Sequence, residues 1–385
     1  MKHKDPHIVY IITKLELGGA QKVCLTLFKQ IQQQMGASLI AGSDGYLVHD
    51  VANHPNLILL DDFKREISCK SIFTEIRLFI RLVRTLMRLK RKHPDLIVHT
   101  HSTKAGIVGR WAAFFARIKY RIHTIHGYAF HEHQHRSLAW LIIAIEWLTS
   151  LITTHFVCVS LHDARTGMRL FSGFDRKHTI IRAAVDWQQF YLPARQAPPF
   201  PAAEAPFIFG TIACFKPQKN LFDLLQAFLW AYQRTSNIRL EIIGDGHQRT
   251  AILAWIEQHK LWHVITLHGW QAHVAPIMAQ WHAFVLSSLW EGLPCAVVEA
   301  RLLKLPVLSY NTGGIADIIN HDENGLLFKQ KDWLALGAAM VELSTNQEQY
   351  QKLSNHTEHL EDFCDTQMIE QHIKLYTTIY HKDIY

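Results

Sequence analysis

Residues 288–314 read SLWEGLPCAVVEARLLKLPVLSYNTGG. They follow a strongly apolar strand, Ala283–Ser287, and place a carboxylate, Glu291, on the loop after it. Gly292, Leu293 and Pro294 turn the chain into a helix that carries a second carboxylate, Glu299, with Pro294 suited to the first helical turn. A short strand, Val307–Tyr310, and a glycine pair, Gly313 and Gly314, precede a further expected helix. Such a strand–loop–helix–strand–loop–helix unit gathers polar groups at the carboxyl ends of its strands, where open α/β sheets bind ligands. Two helix N-termini aimed at one crevice would suit an anion such as a pyrophosphate. On one continuous helix Glu291 and Glu299 would stand ~12 Å apart, too far to grip one atom. They could hold two parts of one polyhydroxylated ligand, or be two ordinary charges at helix ends; spacing alone leaves both readings open.

Working outward, a chain of 385 residues exceeds one usual core and implies two domains. Hydrophobic residues at 49% and charged residues at 19% describe a globular chain, not a disordered one. Residues 1–200 hold 27 Lys plus Arg against 14 Asp plus Glu, a balance of +13; residues 201–385 hold 13 against 19, a balance of −6. A basic first half suggests an anionic partner: nucleic acid, an acidic membrane surface or a phosphorylated substrate. The six cysteines are scattered without a CxxC pair, so free, buried thiols in a reducing compartment are expected. The apolar run Ile8–Ile12 is too short for a signal-peptide core, and no window reaches the ~18 apolar residues of a spanning helix. These features together imply a cytoplasmic protein. Twenty-six histidines are many, but the group His123, His126, His131, His133, His135 lacks the HExxH arrangement, and no metal site is expected.

The first half alternates strands and helices. Strand 8–13 leads into the loop Lys14–Gln21 and a helix, Lys22–Met35; Gly18 and Gly19 permit close backbone approach, though not in the GxGxxG pattern of a nicotinamide site. Strand candidates Ser38–Gly42 and Asn56–Leu60 follow. The segment Ser71–Lys92 reads as a helix with Arg77, Arg81, Arg84 and Arg88 in one stripe and Ile76, Phe79, Ile80, Val83 and Met87 as its apolar side. That stripe could be a solvated face, a patch on anionic lipid or a nucleic-acid contact, the last disfavoured because no aromatic residues interleave to stack on bases. Strand Asp95–Ser102, a helix from Lys104 to Ala116 and strand Arg121–Thr124 come next. His126 and Gly127 lie just past that strand's end, where a histidine serves either chemistry or structure. The helix Leu138–Leu151 carries one charge, Glu146, and is either a buried core helix or a membrane-facing one. Phe156–Ser160 is a strand.

Residues 191–206 are rich in Pro and Ala and form the linker candidate. Domains are therefore expected at 1–190, joined by 363–385, and at 207–362. In the second, strand Phe207–Ala213, the loop with Lys216 and Lys219, helix Leu221–Tyr232, strand Arg239–Ile243, the loop Gly244–Gly246, helix Gln248–Lys260 and strand Val264–Leu267 lead back to the opening stretch. Alternation in both halves predicts two Rossmann-like domains. A lysine at a strand's end can neutralise a phosphate as a flexible point charge; the loop is not a GxxxxGK[ST] P-loop.

In this order the chain resembles the retaining glycosyltransferases of family 4. The matching segments are Leu17–Gln21, Thr124–Gly127, Lys216–Asn220, Ile242–Arg249, Ser288–Ala300, Asn311–Ile319 and Glu323–Phe328. The resemblance implies the GT-B architecture, two facing Rossmann-like domains with an interdomain cleft and a C-terminal helix crossing back to the first. It implies a nucleotide-diphosphate sugar as co-substrate, a UDP-sugar by family frequency, and no obligatory cofactor or metal. Glu299 would accept from the ribose diol, and Glu291 would bind a hydroxyl of the donated sugar beside the turn Gly292–Leu293. Lys219, with Lys216, would meet the pyrophosphate; Gly313, Gly314 and Gly244 would line the donor site; Gly18 and Gly19 would approach the phosphates. His126 would contact the sugar near its reacting carbon. The expected acceptor is a cell-surface glycan or lipid-linked hydroxyl, reached from an anionic inner membrane surface with Arg77, Arg81, Arg84 and Arg88 on that side, and not a nucleic acid. A soluble acceptor and a non-catalytic nucleotide-sugar-binding role are the rivals. Two departures stand out: Cys214 occupies the position where the family usually has an arginine, and Ala183–Ala184 replace its common asparagine–glycine.

Overall fold

The computed structural model describes residues 5–64, 72–191, 196–356 and 360–381. They divide into two compact units, Met1–Ala184 with Asp362–Tyr385, and Val185–Glu361.

In the first unit the elements run β1 (His7–Ile11), α1 (Gly19–Gln34), β2 (Ala37–Ala41), β3 (Leu57–Leu59), α2 (Ile72–Lys92), β4 (Leu96–His101), α3 (Thr103–Phe115), β5 (Tyr120–Ile125), α4 (Arg136–Leu151), β6 (His155–Cys158), α5 (Leu161–Leu170) and β7 (His178–Ile180). The strands form one sheet in the order β3-β2-β1-β4-β5-β6-β7, with every pairing parallel. Along Ile8–Ile11 and Leu96–Val98 the central strands are apolar without alternation because both faces are covered. Crossovers in parallel sheets are right-handed, so the steps toward β4, β5 and β6 set α2, α3 and α4 side by side on one face, with α1 on the other. Gly106 and Gly109 let α3 sit close on that face: a methyl at Gly106 would lie 2.4 Å from the His123 ring. Under α2 and α3 lies a core of Val9, Ile11, Val98, Leu78, Leu82 and Leu86.

The second unit runs α6 (Trp187–Phe190), β8 (Phe207–Ile212), α7 (Leu221–Tyr232), β9 (Ile238–Ile243), α8 (Arg249–Gln258), β10 (Ile265–Gly269), α9 (Ala275–Met278), β11 (Ala283–Leu286), α10 (Cys295–Leu302), β12 (Val307–Tyr310), β13 (Gly325–Phe328), α11 (Trp333–Thr345) and α12 (Gln347–Asn355). Its sheet has the order β10-β9-β8-β11-β12-β13. The strand order reverses between β8 and β11, the place where a doubly wound sheet opens a ligand crevice. The chain then returns as α13 (Asp365–His381), which packs on α1 in the first unit. There Tyr376 Oη is 3.0 Å from Tyr10 Oη and 2.6 Å from His99 Nδ1.

Two parallel, doubly wound sheets are the architecture expected from the sequence, and several local expectations are corrected. Residues 313–317 form a short 3₁₀ helix and not an α-helix, entered at Gly313 with φ +54°. Pro294 caps α10 with extended backbone and is not inside its first turn. On α2 the core side is Leu78, Leu82 and Leu86, while Ile76, Ile80 and Met87 are exposed. Residues 196–206 lie against the second unit: Tyr350 Oη donates to Pro198 O at 2.7 Å, and Asn237 Nδ2 donates to Ala203 O and Ala205 O. Positions 192–195 of the linker candidate, Ser71 and Cys69 fall outside the described residues. Among the described residues none of the other cysteines forms a disulfide; Cys24 and Cys158 are buried, whereas Cys214, Cys295 and Cys364 are half-buried. Strands β7 and β13 have no counterpart in the sequence reading, being only three and four residues long.

Candidate active site

Three loops at the carboxyl edge of the second sheet lock together. The loop after β8 carries Lys216, then a 3₁₀ turn, Pro217–Lys219, that ends at Asn220 in the left-handed region. The loop after β11 lies against it. Leu289 N donates to Gln218 O at 2.8 Å, Gln218 Nε2 to Trp290 O at 2.7 Å, and Ser287 Oγ to Lys219 O at 2.9 Å. The loop after β12 closes the other side: Gly314 N donates to Gly292 O at 2.7 Å and Thr312 Oγ1 to Leu289 O at 3.0 Å. A methyl group at Gly313 would lie 2.0 Å from Glu291 O, so glycine is required there both for its φ and for this approach.

This interlock sets the side chains. Lys219 Nζ donates to Glu291 Oε1 in an ion pair that is mostly buried, with side-chain exposures of 17% and 8%. Glu299 is buried on α10 beyond the turn formed by Gly292 and Leu293. Gly244 (φ +129°) presses on Ala213 O at the base of the loop bearing Lys216, and its N–H donates to Gly269 O at 2.8 Å. The structure therefore brings Lys216, Lys219, Glu291, Gly292, Leu293, Gly313 and Gly314 into one set of touching loops at the switch point. The Lys219–Glu291 pair was not foreseen, since no spacing in the sequence links positions 72 residues apart. Within it, Lys219 holds its charge beside a carboxylate and can be shared with an incoming phosphate, while Glu291 keeps its second oxygen as an acceptor.

In the first unit the sheet order reverses between β1 and β4. Gly18 caps α1 with extended backbone and Gly19 is its first residue. At the end of β1, Thr13 Oγ1 is 3.0 Å from Ser102 Oγ after β4. His126, just past β5, is half-buried, and its Nε2 is 2.9 Å from Nδ1 of the fully buried His101. Behind them His99 Nε2 is 2.7 Å from Thr124 Oγ1. Burial, reinforced by neighbouring histidines, holds His99 and His101 well below the usual histidine range, and burial followed by His372 brings His126 to about 3. All are neutral imidazoles. His101 is a residue the sequence reading passed over. The signal was its alternation with His99, which puts both on one face of β4. Among the described residues no group of three or more metal-ligating side chains is placed to hold a metal ion.

Arg77 and Arg81 reach Asp62 at 3.5 and 3.2 Å, and Arg84 and Arg88 are exposed. In α4, Glu146 is buried and accepts from Arg110 Nη2 at 2.8 Å, so the one acidic side chain of that helix faces inward.

Comparison with known proteins agrees with this architecture. Residues 17–189 match the model of Glycosyltransferase Family 4, and residues 195–360 match that of Glycosyl transferases group 1. The chain is 26% identical over 346 residues, 86% of either chain, to the UDP-Gal:alpha-D-GlcNAc-diphosphoundecaprenol alpha-1,3-galactosyltransferase of Escherichia coli. It is 21% identical, over 82% of either chain, to the capsular polysaccharide biosynthesis glycosyltransferase CapM of Staphylococcus aureus. Among solved structures, Anabaena HepE in complex with UDP-glucose superposes with a TM-score of 0.79 at 16% identity, covering 97% of this chain and 99% of that one. The fold is thereby shown to be GT-B.

Proposed function

We propose, for this GT-B-fold glycosyltransferase related to the group 1 and family 4 enzymes, that it moves a hexose or N-acetylhexosamine from a UDP-sugar to a hydroxyl of a lipid-linked or cell-surface glycan acceptor. The product is an α-glycoside, formed with retention. The observation that carries the donor reading is the Lys219–Glu291 pair at the strand-order switch, framed by the Gly313–Gly314 loop. Uridine diphosphate in HepE and UDP-Gal in the name of the E. coli relative support uridine as the base. The acceptor class rests on that relative's diphosphoundecaprenol substrate and on the capsular role of CapM. Action at the cytoplasmic face of a membrane follows from such an acceptor; a nucleic acid is not the partner.

The chemistry follows from the residues. As the C1–O bond to the diphosphate breaks, C1 gains positive character and the leaving oxygen gains negative charge. Fixed positive groups and N–H dipoles at that oxygen lower the barrier; Lys219, Lys216 and the Gly313 backbone N–H supply them, while Gly314, whose N–H is held by Gly292 O, fixes the loop. Gly18, Gly19 and Gly244 let backbone approach the donor. The acceptor oxygen bonds to C1 from the face the diphosphate leaves, and its proton passes to the departing phosphate oxygen. No protein nucleophile and no metal enter this sequence. Glu291 holds a hydroxyl of the donated sugar, Glu299 the ribose diol, and His126 meets the sugar near C1.

A thermal-shift screen of nucleoside diphosphates, followed by turnover of the best UDP-sugar with membrane-extract acceptors, tests this. UDP should stabilise the protein and Glu299→Ala should abolish that shift; an unchanged shift would reject the ribose role. Nucleotide-sugar binding without any donor hydrolysis would favour a binding protein.

A further inference from the structure

Helix α4 is built inside out. At about 100° per residue, its polar side chains Glu146, Thr149 and Ser150 share the face turned to the protein, and all three are buried. Thr149 accepts from Trp111 Nε1 at 3.1 Å, and Glu146 is held by Arg110. The opposite face presents Trp140, Leu141, Leu148 and Leu151, at 68%, 57%, 51% and 57% exposure. A surface helix in water has the reverse arrangement.

The neighbouring helices continue that surface. α2 packs on α3 and α3 on α4, and topology sets all three on one side of the sheet. On α3 the aromatic pair Phe114 and Phe115 is exposed. On α2 three faces divide the helix at the same 100° step. Leu78, Leu82 and Leu86 face the core; Ile72, Phe73, Ile76 and Ile80 form an exposed apolar stripe; and Arg77, Arg84, Arg88 and Arg91 run beside it. Fourteen of the 21 large apolar side chains exposed among the described residues lie on these three helices, so the exposure is local and not a general property of the chain. Their two acidic residues, Glu75 and Glu146, are both spent on internal pairs with Lys104 and Arg110.

We infer that the outer surface of α2, α3 and α4 rests on an anionic lipid bilayer. Trp140, Leu141, Leu148 and the Ile76–Ile80 stripe would sit at the boundary between headgroups and acyl chains, with Arg77, Arg84, Arg88 and Arg91 on lipid phosphates. No described helix is long and apolar enough to cross a membrane, so the helices lie on the surface, as interfacial helices do. Charge chooses the occupant. In a two-fold pairing of this face with a second copy the same basic patch would occur on both sides, adding like charges, whereas an anionic leaflet neutralises them. The inference deepens the lipid-linked reading of the acceptor and takes its purpose from that reading, though its test does not depend on it.

The experiment is flotation of the full chain with vesicles of phosphatidylglycerol and phosphatidylethanolamine, against vesicles of phosphatidylcholine, at low and high salt. The wild-type protein should float with the anionic vesicles at low salt and be released by salt. Arg84→Gln with Arg88→Gln should weaken partition about 25-fold, from about fivefold per cation at a charged surface. Trp140→Ser with Leu148→Ser should weaken it by about tenfold or more; both side chains are mostly exposed, and a melting curve matching wild type establishes that the variant folds. Brominated lipid should quench wild-type tryptophan fluorescence more than that of Trp140→Phe. Wild-type protein that stays off anionic vesicles at low salt overturns the inference, as does equal capture by both vesicle types. A concentration-dependent dimer that Trp140→Ser/Leu148→Ser dissociates, without lipid binding, assigns the face to a second copy instead. UDP stabilisation is read without vesicles, so a protein that binds UDP yet ignores lipid refutes this inference alone.

Discussion

His101 Nδ1 lies 2.9 Å from His126 Nε2, and both rings are neutral, so one donates and the other accepts. The other nitrogen of His101, Nε2, is buried with no hydrogen-bond partner among the described residues. A buried orphan N–H is rarer than a buried orphan lone pair, which puts the proton on His101 Nδ1 and makes His126 Nε2 the acceptor. His126 is then left with Nδ1–H, a neutral donor suited to a sugar oxygen. Asparagine places its amide N–H where a histidine has Nδ1–H, so His101→Asn should keep kcat for donor cleavage within about threefold. His101→Phe should lower kcat about tenfold to a hundredfold through misplacement of His126, with KM little changed. Side-chain ¹⁵N spectra, with His126 assigned by comparison with His126→Gln, should show His126 in its Nδ1–H form and show that form lost in His101→Phe. A predominantly Nε2–H His126 in the wild type would refute the assignment.

Lys219 and Glu291 form a largely buried ion pair. Removing one partner leaves the other charge without compensation, and Lys219→Met alone should destabilise the second unit by about 1–3 kcal/mol. The double variant Lys219→Met/Glu291→Gln should recover part of that loss while remaining inactive. Chemical denaturation of the wild type, both single variants and the double variant measures the coupling.

At Gly313 a side chain faces both a positive φ of 54° and a 2.0 Å approach to Glu291 O. Gly313→Ala should push the two loops apart and cost about 1–3 kcal/mol of local strain. UDP stabilisation should shrink or vanish while far-UV circular dichroism is unchanged.

The buried histidines make the first unit acid-sensitive. His99, His101, His123, His126 and His372 all have lowered pKa values, chiefly from burial, with His126 at about 3 and His372 at about 4. The unfolded chain binds protons at these groups from the ordinary value of 6.5 downward, while the folded chain does not. Stability is therefore complete above pH 6.5 and falls as pH drops from 6.5 toward about 4, by up to ~1.4 kcal/mol per pH unit per histidine. In the second unit His282 alone among the described residues shows such a shift, to about 4. Unfolding followed separately for the two units between pH 7.5 and 5 should find the first losing stability more steeply. His372→Phe should flatten that slope.

The alternation of strands and helices was readable from the chain itself. Apolar runs such as Ala283–Leu286 and Val307–Tyr310 fall in the observed strands, because a strand covered on both faces needs no polar positions. The loop position of Glu291 and the helix position of Glu299 were readable from the Gly-Leu-Pro between them. What periodicity misreads is direction. The apolar residues of α2 split between a leucine face inward and an isoleucine face outward, and α4 turns its polar side in; an amphipathic pattern reports two faces but not which one meets the protein. Contacts between distant loops, such as Lys219 with Glu291, depend on strand order and so lay beyond any local reading.

Tyr10 belongs to the first strand and Tyr376 to the last helix, yet their hydroxyls touch. Synthesis on the ribosome delivers the whole second unit before the segment that seals the first. The amino-terminal sheet must wait, one flank of its histidine-lined interior bare, until α13 emerges. Assembly of this protein should accordingly run backward relative to translation, its later-made half reaching a finished state ahead of its earlier one.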